Sequence, residues 1–391
     1  MASNRLALAI MLAVLAGSLL GGLAGFQSIQ TPTQQPAPVA TDAALQYTIR
    51  VKPVLVVEHY RNGELIWEYT KVGDPLTKNF MSFVLGAILG ERYKPGGLTS
   101  VKDTSGFGRG NILQTEYRNE IRGLYIGIGS GNASFTPDDY RLNDTLTMKG
   151  EAAISFGRSY NQTHYVASVS ASFSPPVGVS QWVVREVGLF IKSTYTYLLA
   201  RDVIPTTYLA SGDQLIVTYR FIYEEPVAYN FAEAISRYLM AWGTANNGST
   251  GPFIAMDGTS WPGLDYGYDN LSGTSITDLV KENLVAMLFD ANGTPVFDMS
   301  FYGPQPGDQL VWSGSPTLGY YINSTIACIS VIVNVGVPAG SEGDYLAVFL
   351  ETDANVTEGT NVKRFAVFYT VFNPPLQGGN QYTVEMKICF G

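Results

Sequence analysis

Charge is scarce in this chain. Of its 391 residues only 15% are Asp, Glu, Lys or Arg, below the usual quarter for soluble domains. The balance is acidic, at -9, and no run of five basic residues occurs. Nucleic-acid binding, which needs clustered Lys and Arg to neutralise phosphates, is therefore excluded. Histidine is scarcer still: His59 and His164 are the whole supply. Neither falls in a metal-ligand spacing, and no HExxH or Cys-His cluster occurs. A Ser-His-Asp triad would have to use one of the two, and both lie in strand-like runs. The two cysteines, Cys328 and Cys389, leave two readings open. They form a disulfide in an oxidising compartment, or they are two buried free thiols. No catalytic set, metal or cofactor is expected from these residues.

What the chain does have is polar, uncharged surface chemistry and one long apolar run. After Arg5, residues 6–26 carry no charge. A short basic start, an apolar stretch and the small-x-small pattern Gly22-Leu23-Ala24 read as a secretory signal, residues 1–25. The same run is long enough to span a bilayer, so an uncleaved anchor is the other reading. In either case the rest of the chain is expected outside the cytoplasm, secreted or at the cell surface, with membrane contact only during export or through this segment. Residues 26–45, with Thr31-Pro32-Thr33-Gln34-Gln35-Pro36, form a partly polyproline-like linker.

Beyond the linker the chain reads as if written twice. Leu76, Phe80, Val84 and Ile88 recur as Val227, Phe231, Ile235 and Leu239, each offset by 151, on a helical spacing. Asp74-Pro75 is the expected start of the first helix, with Asp74 as its cap. Ser211-Gly212-Asp213-Gln214-Leu215 recurs as Gly378-Gly379-Asn380-Gln381-Tyr382, offset by 167. The second copy thus carries roughly 16 extra residues, as loop insertions produce. Phe253–Gly258 is matched to the strand around Tyr125, Leu346–Phe349 to Val187–Phe190, and Phe365–Val371 to the strand after it.

Most of the remaining signal is β. Asn62-Gly63 between two apolar runs predicts a type I′ hairpin. Strands are expected at 124–131, 164–173, 182–191, 197–204 and 214–223. The fold class is therefore all-β with one helix per repeat: two tandem β-sandwiches, residues 46–223 and 224–391, behind the N-terminal apolar helix. Gly127-x-Gly129-x-Gly131 does not match the GxGxxG of a dinucleotide site and reads as close backbone packing. Asp138-Asp139, Glu224-Glu225 and Asp257 have oxygen ligands for Ca²⁺ but no EF-hand spacing, and read as solvated acids.

Eight sequons stand in the exported part: Asn132, Asn143, Asn161, Asn247, Asn270, Asn292, Asn323 and Asn355. The last Thr of the Asn292 sequon is followed by Pro295. N-glycans are thus expected partners.

Tyr125-Ile126-Gly127-Ile128-Gly129-Ser130-Gly131, the Asp138-Asp139 loop, Arg185–Phe190, Leu198–Pro205 and Gly212–Tyr219 together resemble the β-domains of tailed-phage tail and tail-fibre proteins. The likeness covers roughly residues 120–223 and implies a β-domain of an assembly protein. The export signal departs from that family. The overall plan of signal, linker, Thr- and Tyr-rich sandwich and sequons is similar to secreted surface-filament and pilus subunits of hyperthermophilic archaea. The expectation is an exported structural subunit of a surface filament or sheath, not an enzyme, whose partners are copies of itself. Alternating Tyr47, Ile49 and Val51 would enter an open sheet edge of the next subunit. The alternative is a membrane-anchored or virion-surface adhesion or spike protein. A glycan-active enzyme would need a carboxylate pair in a cleft, which sequence does not place.

Overall fold

Asn62 and Gly63 hold φ angles of 52° and 83° in the computed structural model. These are the two positive values a type I′ turn requires, so the first hairpin forms where its turn chemistry dictates. The structure describes residues 45–72, 76–80, 100–110, 124–150, 153–192, 195–229, 231–232, 236, 253–261, 284–293, 297–322, 327–353 and 362–390. The chain divides into two units, Met1–Ala40 and Thr41–Gly391, and every described residue lies in the second. The expected signal or anchor and almost all of the linker lie outside the described residues.

In the first half the strands are β1 (Leu45–Arg61), β2 (Glu64–Val72), β3 (Ser100–Lys102), β4 (Gly108–Gly110), β5 (Leu124–Gly129), β6 (Thr145–Lys149), β7 (Ile154–Tyr160), β8 (His164–Phe173), β9 (Gln181–Lys192), β10 (Thr196–Ala210) and β11 (Asp213–Glu224). In the second they are β12 (Phe253–Ile254), β13 (Ser260–Trp261), β14 (Leu284–Asp290), β15 (Gln309–Gly314), β16 (Thr317–Ile322), β17 (Ala327–Gly336), β18 (Glu342–Asp353), β19 (Val362–Gln377) and β20 (Gln381–Phe390). The fold is all-β, as expected.

Both halves use one strand order. The small sheets run β10-β9-β5-β6 and β19-β18-β14-β15, and β7-β8-β11 is matched by β16-β17-β20. Isolated bridges repeat it, Leu76 to Ala200 and Val227 to Phe368. So do single backbone bonds. Thr77 N–H reaches Leu199 O at 2.9 Å and Ala228 N–H reaches Val367 O at 3.1 Å, while Lys78 to Pro137 and Tyr229 to Met299 both span 2.8 Å. One expected match is corrected. The place of β5 is held by β14, whereas Phe253–Ile254 forms the two-stranded ribbon β12–β13, which corresponds to β3–β4. A short ribbon with a Gly258 turn cannot supply the buried seven-residue strand that position needs.

The two halves meet in one sheet rather than standing apart. The 8-stranded sheet runs β16-β17-β20-β1-β11-β8-β7, with β2 on β1. One core cluster draws on both halves, including Val57, Val217, Phe221, Val333, Val384 and Phe390. Phe80 stacks on Phe221 at 5.6 Å and touches Phe390 at 6.0 Å, so the first helical turn sits across the join. That turn begins later than predicted. Leu76 is held in its bridge to β10, and Thr77 Oγ1 accepts the Phe80 N–H at 3.3 Å, the geometry of an N-cap. Asp74, Val84, Ile88, Ile235 and Leu239 lie outside the described residues.

Candidate functional site

The residues singled out for assembly occupy the first seven positions of β1. Leu45–Val51 pair in parallel with Val384–Phe390 of β20. Their alternation is the physical reason they fit. Gln46, Thr48 and Arg50 are exposed, while Tyr47 packs on the core and Ile49 and Val51 are 4% and 1% exposed. A period of two puts these three on one face. The acceptor edge, however, belongs to the same chain. Within the single chain, β20 thus lies between β17 and the arm. At Lys52 the partner changes, with Val51 opposite Phe390 and Lys52 opposite Ile222 of β11. Pro53 stands at this changeover, and its missing N–H makes it a natural break between ladders.

Cys328 and Cys389 face each other across β17 and β20 and are joined as a disulfide, Cα to Cα 4.0 Å. Of the two readings left open by the sequence, this is the bonded one. Arg50 of the arm lies opposite Cys389, so the cross-link sits one strand from the arm.

Above each small sheet a long loop is held down from below. In the first half, Glu186 is 0% and Arg201 1% exposed. Glu186 Oε1 accepts the N–H groups of Gly131 at 3.1 Å and Asp144 at 2.9 Å, and Oε2 accepts that of Asn143 at 3.2 Å. Arg201 Nε donates to Glu186 Oε2 at 2.8 Å, Nη1 to Asp139 Oδ2 at 2.8 Å and Nη2 to the Ala133 carbonyl at 2.8 Å. Every arm of the ion pair has a partner, which is what makes its burial tolerable. The glycine series now has its cause: a Cβ at Gly129 or Gly131 would lie 2.6 or 2.4 Å from Glu186 Oε1. Asp139 is thus an anchor of this clamp rather than a solvated acid.

The second half puts aromatic rings in the same places. Arg201 lies opposite Gly188 and Tyr369 opposite Ala347, and Gly129–Glu186 is matched by Phe289–Tyr345. Tyr345 and Tyr369 pack against Phe297 at 4.8 and 4.9 Å. Tyr345 donates its hydroxyl to Asp308 Oδ2 at 2.6 Å, and the N–H groups of Asn292 and Gln305 also reach Asp308. Burial pushes the Asp308 carboxyl up, but these donors outweigh it and leave it below the ordinary carboxylate range.

The clamped loops carry sequons. Asn132 and Asn143 stand exposed on loop 130–144, and Asn292 is exposed on its counterpart. Asn161 is exposed at the turn into β8, where its Oδ1 accepts the N–H groups of Thr163 and His164 at 2.9 Å each. Asn247, Asn270, Asn323 and Asn355 lie outside the described residues.

The two histidines have different surroundings among the described residues. His164 sits in the Asn161 turn, in contact with Thr163 and Asn161. His59 Nε2 lies 3.1 Å from Asp213 Oδ2, but Arg61 donates to both oxygens of that carboxylate at 2.9 Å and the Ala210 N–H adds a third donor residue. The Arg61 guanidinium holds the Asp213 carboxyl far below its usual range. A folded-state value below the unfolded one of about 3.9 means stability that is full above that pH and lost as pH falls through the folded value. Asp213→Asn is accordingly expected to lower stability near pH 7 and to flatten the acid limb of a stability curve measured by denaturant titration from about pH 5 to about pH 2. An acid limb as steep as wild type counts against this assignment.

Sequence reasoning missed Glu186 and Arg201 as a pair. The available signal was a charge of each sign inside otherwise apolar strand runs. Among the described residues no group of acidic, His or Cys side chains is arranged to hold a metal ion, and no helix is long and apolar enough to cross a membrane. No protein family, no curated protein and no solved structure matches this chain.

Proposed function

We propose that this chain is an exported structural subunit of an extracellular filament or sheath, and that its copies join by exchanging the β1 arm. The observation that carries the reading is the parallel ladder of Leu45–Val51 on β20, with one face of the arm buried in the core. An N-terminal strand that completes a sheet edge far along the chain makes the same contacts when it comes from a second copy. No new surface is needed, only opening at Lys52-Pro53, where the ladder changes partner. Main-chain bonds supply the affinity, and Ile49 and Val51 set the register. A head-to-tail exchange of this kind does not close on itself unless the rotation between copies allows it, so it produces a chain.

Two further features support the reading. The exposed sequons Asn132, Asn143, Asn161 and Asn292 stand on turns and loops, where glycans would cover surface between contacts. The repeated strand order is what a duplicated building segment produces, and the shared 8-stranded sheet joins the two halves into one building block.

The test is a version of the protein starting at Lys52, viewed by electron microscopy beside the full chain. Filaments from the full chain and single particles from the truncated one are the expected result. Normal filaments without the arm would overturn the proposal. Ile49→Asp with Val51→Asp, in the full-length chain, separates loss of the arm's contacts from loss of the segment before it.

A further inference from the structure

We propose that Lys71 and Asp202 condense into an isopeptide bond that ties edge strand β2 to the opposing sheet. The inference stands apart from the assembly reading. Asp202 is 0% exposed, its Oδ1 accepts Lys71 Nζ, and its Oδ2 is buried with no hydrogen-bond partner among the described residues. Other buried acids of the chain are treated differently. Glu186 and Asp213 each accept several donors across both oxygens, and Asp103 takes the N–H groups of Ser105 and Phe107 on one oxygen and Arg109 on the other. A buried carboxylate with half its acceptors unused is costly and calls for a cause.

Condensation removes that cost. The step begins with transfer of a proton from the Lys71 ammonium, held on Asp202 Oδ1, to the unpartnered Asp202 Oδ2. The freed amine nitrogen attacks Asp202 Cγ. A C–N bond forms, the nitrogen passes a second proton to the hydroxyl on Cγ, the C–O bond to that oxygen breaks, and one water leaves. No oxidant or reductant takes part, and the amide that remains carries no charge.

The location gives the bond a purpose. Lys71 lies opposite Leu55 in the large sheet, and Asp202 lies opposite Val187 in a four-stranded one, so the link crosses the sandwich. β2 has β1 as its ladder partner and an otherwise largely exposed sequence, with Leu65 and Ile66 about half exposed. Such an edge is the part of a sheet most prone to peel or to pair wrongly. In the second half Thr370 holds the place of Asp202, opposite Leu346, so no such condensation is available there.

The test is tryptic digestion of the purified full-length chain followed by mass spectrometry. The expected product is residues 62–78, uncut at Lys71, joined to residues 202–220 and lighter than the two peptides together by one water. Lys71→Ala and Asp202→Ala each release linear peptides. Lys71→Arg keeps the charge but cannot form the amide, so it is expected to melt like Lys71→Ala. Cleavage at Lys71 in the wild type, with the Asp202 peptide at its full mass, overturns the proposal and leaves an ion pair.

Discussion

Arg201→Ala is expected to destabilise the fold by about 3–5 kcal/mol, the range for removing one partner of a buried pair. The loss goes beyond one contact. Glu186 would keep its three N–H donors but lose the charge that balances it, at a position with no access to water. Asp139 and the Ala133 carbonyl would lose their partner as well, so loop 130–144 would be released at its centre. Denaturant unfolding of the variant measures the total, and a double-mutant cycle with Glu186→Gln isolates the pair. A loss below about 1 kcal/mol, the scale of an exposed ion pair, would show that the clamp is not buried in solution. The second half supplies a natural comparison. Tyr345, Tyr369 and Phe297 fill the equivalent place by packing, and well-packed apolar groups commonly match or exceed a buried ion pair in stability. The ion pair is therefore best understood as fixing the shape of the loop that presents Asn132 and Asn143.

Removing the disulfide, as Cys328→Ser with Cys389→Ser, is expected to cost about 4 kcal/mol by the chain-entropy relation for its separation of 61 residues. The readout is the shift in denaturant midpoint, with reduction of the wild type as a second route to the same state. A local effect should accompany the global one. β20 is held between β17, through this bond, and the β1 arm. Loosening β20 near Cys389 removes the surface on which Ile49 and Val51 rest, so faster amide exchange is expected at 45–51 before it rises at 52–61. Equal exchange in both segments would mean that the arm does not depend on the cross-link.

Much of the fold was legible locally. Alternation placed β8, β11 and the arm within a residue or two, because a strand with one buried face must read with a period of two. Asn62-Gly63 fixed the first hairpin because few residues tolerate two successive positive φ angles. The paired positions Leu76 and Val227 were visible as an offset, and both fall at the same bridge in their halves. The match of Phe253 to Tyr125 failed because a short apolar run carries no record of which partner it meets.

The sequence by itself determined strands such as β8 and β11, the inward face of the arm and the turn between β1 and β2, since each depends on neighbours a few positions away. Only the tertiary structure decided that Leu45–Val51 joins β20, that both halves share one sheet, and that Glu186, Arg201 and Asp139 meet under one loop. These contacts span tens to hundreds of residues. They are selected by which sheet edges remain unpaired and which charges remain uncompensated once the chain has closed on itself, and no local window of residues contains that information.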